Sequence, residues 1–253
     1  MTMTPEQASW FSDIFGRLVA NVEDVLLGKT FVIRLGFTAL LSEGHLLLED
    51  YPGTGKTSLA RAIAQSVDGT THDVGVPFMV IATQNPIEQA GTYRLPEAQL
   101  DRFLMKASIG YPDHASTLRI LEGAGTRAHD TVVPSIATAD TIVEMARLAR
   151  TVHVDPSVND YVSRLVDATR STPEVRLGAS VRGALALVRA AKTMAAGAGR
   201  HYVIPDDIKA LAEPVLAHRL VLDPEAEFDG VTTSSIMSQI LIETPPPSDR
   251  QAV

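Results

Sequence analysis

The stretch Leu46-Leu47-Leu48-Glu49-Asp50-Tyr51-Pro52-Gly53-Thr54-Gly55-Lys56-Thr57 decides the fold of this chain. Its apolar start predicts a buried strand, its glycines predict a tight turn, and its last two residues predict the start of a helix. In that arrangement the backbone N–H groups of the loop and of the helix start point at one anionic ligand. The sequence therefore predicts a strand–loop–helix unit that binds phosphate.

The residues of this phosphate loop have expected roles in binding a nucleotide. Lys56 would reach the β- and γ-phosphates, and the Thr57 hydroxyl would hold Mg²⁺. The general pattern has Gly where this chain has Asp50, so the match lies in the second half of the motif. A plain glycine-rich turn is the alternative, but it leaves the Lys-Thr pair unexplained. The expected cofactor-binding residues are Pro52, Gly53, Thr54, Gly55, Lys56, Thr57 and Ser58.

Composition narrows the class of protein. The 253 residues, 45% of them hydrophobic, are enough for one large or two modest domains with apolar cores. A formal net charge of −8 argues against a main role in binding nucleic acid. The absence of cysteine excludes disulfides and thiolate metal sites. Because there is neither a signal-peptide pattern nor an apolar run of about 20 residues, we expect a cytoplasmic protein without a membrane span.

Helical periodicity precedes the phosphate loop. It predicts a helix over residues 5–26 and a second over residues 30–42, the first of which buries one apolar face. We interpret Gly28-Lys29-Thr30 as the connection between the two helices, with a place beside an adenine ring as the alternative. The predicted buried face comprises Trp10, Ile14, Leu18, Val22 and Val25.

After the loop, the pattern predicts a helix over residues 56–67 and buried strands over 77–83 and 103–109, with a short helix within 95–104. Asn85 follows the first of these strands at its carboxyl edge. From residue 113 onward the sequence pattern is helical, and Thr138 and Asp155 are predicted N-caps. The predicted helices there cover residues 114–123, 139–150, 156–169, 180–196, 205–215 and 234–242. We therefore divide the chain into domains 1–112 and 113–244 and a loose tail, 245–253.

Four pieces of the chain together resemble the MoxR branch of the AAA+ ATPases. They are LEDYPGTGKT at 48–57, ATQNPIEQAGTY at 82–93, LPEAQLDRF at 95–103 and GASVR at 178–182. The resemblance covers nearly the whole chain in order, and the second and third pieces are specific to this branch. It implies an α/β P-loop NTPase fold with a parallel sheet and a C-terminal all-α lid domain.

The resemblance also implies catalytic roles for Lys56 and for three further residues. Asn85 looks like the sensor of the attacking water or γ-phosphate, and Arg182 like the second sensor, although Val181 stands where the family usually has Pro. Arg102 looks like the arginine finger, offered to the nucleotide of the next subunit. A guanidinium suits these roles because its forked donors match phosphate oxygens and stabilise the transferring group.

Each of these three residues also has a plain structural alternative. Arg102 could form a salt bridge with Asp101 or Glu97, Arg182 could be a solvated helix residue, and Asn85 could be a turn residue before a proline. The family resemblance further implies ATP and Mg²⁺ as cofactors, assembly into a ring that we expect to be a hexamer, and client proteins remodelled at the cost of ATP hydrolysis.

One part of the family pattern is missing near residues 67–76. P-loop hydrolases need an acidic residue after a second buried strand to hold Mg²⁺, yet only 29 positions separate Lys56 from Asn85. Asp68 and Asp73 lie in that interval, but neither follows an apolar run. We therefore predict an internally shortened nucleotide domain with slow or no hydrolysis. An active ATPase, a subunit that binds nucleotide without turnover, and a non-functional fragment stay open as hypotheses.

The three surviving strands predict a small parallel sheet with the phosphate-loop strand in the middle. This order would leave the strand at 78–83 as an exposed apolar edge, where we expect self-association. Other chemistry is disfavoured: the seven histidines show no helical pairing with Glu for a metal site, and no G-x-S-x-G elbow is present.

Overall fold

A computed structural model of the chain describes residues 2–51, 53–68, 77–85, 95–123 and 133–247. Its N-terminal part begins with two helices and continues into a parallel sheet, whose first strand is followed by a third helix. The elements are α1 (Pro5–Glu23), α2 (Thr30–Leu41), β1 (Leu46–Glu49), α3 (Lys56–Ser66), β2 (Val67–Asp68), β3 (Ile81–Gln84), α4 (Glu97–Leu100) and β4 (Met105–Ala107).

The C-terminal part is mainly helical. Its elements are α5 (His114–Gly123), β5 (Ala137–Thr138), α6 (Ala139–Arg150), α7 (Pro156–Ser171), β6 (Val175–Leu177), α8 (Val181–Gly197), α9 (Pro205–Leu216), the 3-10 turn η1 (Ala217–Arg219), β7 (Val221–Leu222), α10 (Pro224–Phe228) and α11 (Thr233–Glu243). The six predicted helices are present with ends within two residues of the prediction, and α10 was not predicted. Thr138 and Asp155 cap α6 and α7 as predicted.

The central sheet has the predicted order β3-β1-β4, with both pairings parallel. Leu46 is level with Ile81 on one side and with Met105 on the other. Because β1 lies in the middle, its three leucines are fully buried, as expected for a strand with neighbours on both sides and layers on both faces. The register brings the carboxyl ends of all three strands to the same edge.

The edge strand β3 is only partly covered. Within the described residues it has one strand neighbour, β1, and just before it Phe78 and Val80 are 51% and 39% exposed. Within the described residues, β3 therefore lies at the sheet edge as predicted. It begins at Ile81, so the predicted strand 77–83 was wrong over its first four residues, and the exposed Phe78 and Val80 precede the strand. Its role in self-association stays a prediction.

The buried face of α1 differs from the predicted one. Phe11 and Phe15 are fully buried, together with the predicted Leu18 and Val22, whereas Trp10 is 42% exposed. At 100° per residue the buried face is centred on Phe15, and Trp10 lies well over a quarter-turn away from that centre. The inclusion of Trp10 in the apolar face was wrong, because a single i, i+4 row was followed instead of the full helical face. The helix also ends at Glu23, three residues early.

The N-terminal helices share one hydrophobic core with the C-terminal helices. Phe15 packs edge-on against Phe37 of α2, with 6.4 Å between ring centroids. On α8, a Cβ added to Gly197 would lie only 3.0 Å from the Phe15 ring, so glycine permits the close approach of α1 to α8. The division at residue 112 stays a prediction.

Two short strand pairs were not predicted. β2 pairs with β5 in parallel, and β6 pairs with β7 antiparallel inside the predicted all-α lid. Strands of two or three residues are too short to show an alternating pattern. In the described ranges no helix combines the length and apolar composition needed to cross a bilayer. Most of the shortened stretch 67–76, Pro52 and residues 248–253 of the tail lie outside the described residues.

Candidate functional site

The loop between β1 and α3 has the backbone geometry of an anion site. Gly53 and Gly55 have φ angles of 82° and 94°, in the left-handed region that costs glycine little and other residues more. A Cβ at Gly53 would meet nothing within 4 Å, so a side chain would have room there. Glycine is favoured at this position because of the positive φ angle. Gly55 is the N-cap of α3 and leaves the helix without a side-chain cap, so the first N–H groups of α3 suit an anionic ligand.

Lys56, the first residue of α3, folds back over the entrance of the loop. Its Nζ donates to the carbonyl oxygens of Asp50, at 2.5 Å, and Tyr51, at 2.8 Å. The Thr54 hydroxyl donates to the same Tyr51 oxygen at 3.0 Å. Thr57 and Ser58 are exposed in the first turn of the helix. The ammonium group is thus held beside the loop by neutral acceptors that an anionic ligand could replace.

Asn85 lies at the same edge of the sheet as the loop entrance. It directly follows β3, and the Asp50 N–H donates to the oxygen of the preceding Gln84 at 3.1 Å. Asn85 is half-buried and has a polar interaction. The structure therefore brings the predicted sensor residue to the strand end beside the phosphate loop, and its role stays a prediction.

The two predicted arginines differ in their surroundings. Arg182, in the first turn of α8, pairs through Nη1 with Asp101 Oδ2 at 3.1 Å, and its side chain is 66% exposed. Arg102 is exposed, and no described residue, Asp101 and Glu97 included, forms an ion pair with it. Among the described residues no hydrogen bond joins either arginine to the phosphate loop. Their contribution to a nucleotide site stays a prediction.

A buried arginine next to these residues was missed in the sequence. Arg219, whose side chain is 3% exposed, donates from Nε to Asp101 Oδ1 at 2.9 Å. It also donates to the backbone oxygens of Asp101, Phe103, Leu104 and Val215. Burial lowers the pKa of Arg219, and Asp101 partly opposes that shift. A charged residue inside the apolar run VLAHRLVL was the signal that could have identified it.

His218, the neighbour of Arg219, is held neutral. Its Nε2 lies 3.3 Å from the Phe103 oxygen and 2.8 Å from Arg219 Nη1. Burial first, and the positive charge of Arg219 second, lower the pKa of His218 from 6.5 to about 3. Together, His218 and Arg219 attach the lid to the segment that carries Arg102.

Asp50 occupies the position where the general pattern has glycine, and its carboxylate binds four donors. Oδ2 accepts from Ser108 Oγ at 3.0 Å, Ile109 N at 2.8 Å and Gly110 N at 2.6 Å, and Oδ1 accepts from Tyr51 N at 2.8 Å. Burial alone would raise the pKa of Asp50, but these hydrogen bonds outweigh it and the pKa is lowered. We call this carboxylate with its four donors the Asp50 clamp.

The described residues offer little to a metal ion. They contain no group of three or more His, Cys, Asp or Glu side chains that could hold one. Of the two acids nearest the loop, Asp50 is saturated by its clamp and Glu49 pairs with Lys106. Thr57, the residue predicted to hold Mg²⁺, is exposed in the first turn of α3, and its role stays a prediction.

Comparisons with known proteins agree with this geometry. Residues 65–105 match the family model of the ATPases associated with various cellular activities (AAA), and residues 167–240 match the AAA lid domain. The uncharacterized protein YeaC of Bacillus subtilis is 35% identical over 312 aligned positions, which cover 95% of this chain and 97% of YeaC. The chaperone MoxR1 of Mycobacterium tuberculosis is 28% identical, with 89% of this chain and 80% of MoxR1 covered.

A crystal structure shows the same fold. A protein from Cytophaga hutchinsonii, assigned as an ATPase, superimposes with a TM-score of 0.86 and 27% identity, covering 96% of this chain and 98% of the other. The parallel sheet, the match to the AAA family model and the match to the AAA lid domain together place this fold in the AAA+ class of ATPases. Within that class, this chain belongs to the MoxR family.

Proposed function

We propose that this chain binds Mg-ATP in its phosphate loop as a chaperone-class MoxR subunit and hydrolyses ATP slowly or not at all. The observation that carries the proposal is the loop itself: left-handed Gly53 and Gly55 lead into an α3 start without a side-chain cap, and Lys56 lies over it. Backbone N–H groups and one ammonium then face a triphosphate, the arrangement that P-loop proteins use.

The residues of the loop divide the work of binding. Lys56 would exchange its two carbonyl acceptors for oxygens of the β- and γ-phosphates, a stronger, charge-assisted interaction. Thr57 would hold the magnesium ion, which neutralises phosphate charge when it is bound. Asn85 would contact the γ-phosphate or the attacking water from the end of β3. Arg182 would have to leave Asp101 to reach the nucleotide, so its contribution depends on a movement of the lid.

Slow hydrolysis follows from the missing acid. The aligned length with YeaC, 312 positions against 253 residues in this chain, leaves at least 59 positions of that relative without a counterpart here. Both chains are covered almost end to end, which supports an internal shortening. The short interval between Lys56 and Asn85 is where the missing carboxylate is expected. Without a residue to hold the metal and orient water, phosphoryl transfer loses much of its stabilisation.

Assembly and client binding belong to the same proposal. Arg102 is exposed and unpaired among the described residues, as an arginine that acts on the nucleotide of a neighbouring subunit would need to be. The relative MoxR1 is named a chaperone, which supports protein clients. We propose a ring, with a hexamer as the expected size, located in the cytoplasm.

The test measures ATP binding and ATP turnover on the same preparations. We expect wild-type protein to bind Mg-ATP and to release phosphate at the background rate or only slightly above it. We expect Lys56→Ala to lose that binding and to release phosphate at the background rate. Lys209→Ala, which removes an exposed lysine of the lid that pairs with Asp206, controls for the loss of a positive charge. Absence of binding by the wild type would refute the proposal.

An active ATPase is the second candidate, because Asn85, Arg102 and Arg182 are all retained. It predicts turnover that is lost in both Lys56→Ala and Arg102→Ala, with binding retained in the second variant. Turnover well above the background rate, with this pattern, would replace the hydrolysis-deficient proposal.

A further inference from the structure

Asp50 is the residue through which the phosphate loop is attached to all three strands of the central sheet. It follows β1 directly, its N–H donates to Gln84 at the end of β3, and its carboxylate accepts from Ser108, Ile109 and Gly110 just after β4. It is a polar residue of the loop that is almost fully buried, at 5% exposure. Nothing in the general phosphate-loop pattern calls for a carboxylate here, since that pattern has glycine.

The surroundings of the Asp50 clamp bring a third segment to the same place. The ring of Tyr51 stacks on that of Tyr111 at 6.2 Å between centroids. Lys29, from the connection between α1 and α2, donates to the Tyr111 oxygen at 2.7 Å. The start of the loop and the segment after β4 therefore meet at the Asp50 carboxylate, and the α1–α2 connection contacts that segment one residue further on, at Tyr111.

Lys56 contacts the same part of the loop as the Asp50 clamp. The two oxygens that accept from Lys56 Nζ are the carbonyls of Asp50 and of Tyr51. The N–H of Tyr51 donates to the Asp50 carboxylate. Loss of the carboxylate would leave the Ile109 and Gly110 N–H groups without their acceptor and would release the loop entrance. Hydrogen bonds to an ionised acceptor contribute more than neutral ones, and leaving buried donors unpaired is costly.

We infer that Asp50 is a positioning residue for nucleotide binding, which holds the phosphate loop and Lys56 in the geometry that accepts a triphosphate. The inference rests on the proposed function and deepens it. If Asp50 has this role, Asp50→Gly should bind ATP more weakly than the wild type, although it restores the glycine of the general phosphate-loop pattern.

Three variants test this claim. Asp50→Asn keeps the size of the side chain but replaces one acceptor oxygen by a donor, and Asp50→Gly removes the side chain. Asp207→Asn is the matched control, because Asp207 is also a buried carboxylate, 5% exposed, but it pairs with Arg200 in the lid. The readouts are the dissociation constant of Mg-ATP, the melting temperature, and hydrogen exchange at the amides of Ile109 and Gly110, which needs no nucleotide.

We expect both Asp50 variants to weaken ATP binding by about tenfold or more, the size of effect that a lost charged hydrogen bond can produce. The Ile109 and Gly110 amides should exchange faster in both. Asp207→Asn should lower the melting temperature while ATP binding stays within about twofold, since distant sites act independently. A merely structural Asp50 would instead lower stability without changing affinity.

Three results would overturn the inference, and they are distinguishable. If the two amides exchange at wild-type rates in Asp50→Gly, which has no side-chain acceptor, the carboxylate does not hold them. If they exchange faster but ATP binds as in the wild type, the clamp has no role in positioning. If the wild-type protein itself does not bind ATP, the proposed function is wrong. The positioning role is then wrong too, even if the amides of Ile109 and Gly110 exchange faster in the variants.

Discussion

Arg219, at the end of the lid's α9–η1 corner, forms an ion pair with Asp101, with 2.9 Å between Nε and Oδ1. Two of its further acceptors, the carbonyls of Asp101 and Phe103, flank Arg102 in the chain. The lid is therefore attached to the backbone on both sides of the predicted arginine finger. Asp101 also binds the exposed Arg182, so one carboxylate serves a buried and an exposed guanidinium.

The two arginines that share Asp101 should contribute very differently to stability. Arg219→Met removes a buried guanidinium and leaves Asp101 and several carbonyls without a donor, which should cost roughly 2–4 kcal/mol. Arg182→Ala breaks an exposed pair and should cost less than about 1 kcal/mol. Urea denaturation followed by circular dichroism measures both. Equal losses would show that burial of Arg219 is not what stabilises the corner.

His218 should make the stability of the protein depend on pH. The pKa of His218 is lowered from 6.5 to about 3 in the folded state. At pH values between these two, the imidazole is protonated in the unfolded chain and neutral in the folded chain. The contribution of the neutral, buried imidazole to the free energy of unfolding is fully present above pH 6.5. It is lost as pH falls toward 3, by up to about 1.4 kcal/mol per pH unit in between.

The measurement is the free energy of unfolding from pH 7 to pH 5 in wild-type protein and in His218→Gln. We expect a shallower slope in the variant, because the protonation of residue 218 no longer distinguishes the two states. His114→Gln, which removes an exposed histidine at the start of α5, controls for the loss of a histidine as such. An unchanged slope in His218→Gln would contradict the burial of a neutral imidazole.

The orientation of α1 predicts unequal costs for two aromatic truncations. Phe15→Ala deletes a fully buried ring that packs against Phe37 and Gly197, and it should cost about 3–5 kcal/mol. Trp10→Ala removes a larger side chain that is 42% exposed, and it should cost about 1 kcal/mol or less. Thermal melts of the two variants compare them directly. A larger loss of stability in Trp10→Ala than in Phe15→Ala would show that the buried face of α1 is the one predicted from the sequence.

The exposed edge of the central sheet should promote self-association. Phe78→Lys places a charge beside β3, a device that natural edge strands use against pairing, and should reduce association at high protein concentration. Phe228→Lys is the control, because Phe228 is 92% exposed and belongs to a different element, α10 of the lid. Sedimentation velocity over a range of concentrations measures the effect. If only the Phe228 variant becomes more monomeric, the lid and not the sheet edge associates.

The sequence predicted the strand order and most helices because their signals are local and strong. Lys56 follows two glycines after an apolar run, and long helices such as α6 show sustained periodicity. The short pairs β2–β5 and β6–β7 depend on contacts distant in the chain, which no local pattern of two or three residues records.

The candidate site was predictable where a motif exists and not where side chains from distant segments meet. Gly53, Gly55 and Lys56 carried their own signal. Three of the four donors to Asp50 come from residues 108–110, more than fifty positions away in the chain. Arg219 and its partner Asp101 are separated by more than a hundred positions. Such partners become visible only when the chain is folded.

The most direct measurement of the central claim is the melting temperature as a function of Mg-ATP concentration, for wild-type protein and Lys56→Ala. A ligand that binds only the folded state stabilises it by an amount that grows with the logarithm of its concentration above the dissociation constant. We predict a rising melting temperature for the wild type and a flat line for Lys56→Ala. A wild-type melting temperature that ATP does not change at any attainable concentration would contradict a functional phosphate loop.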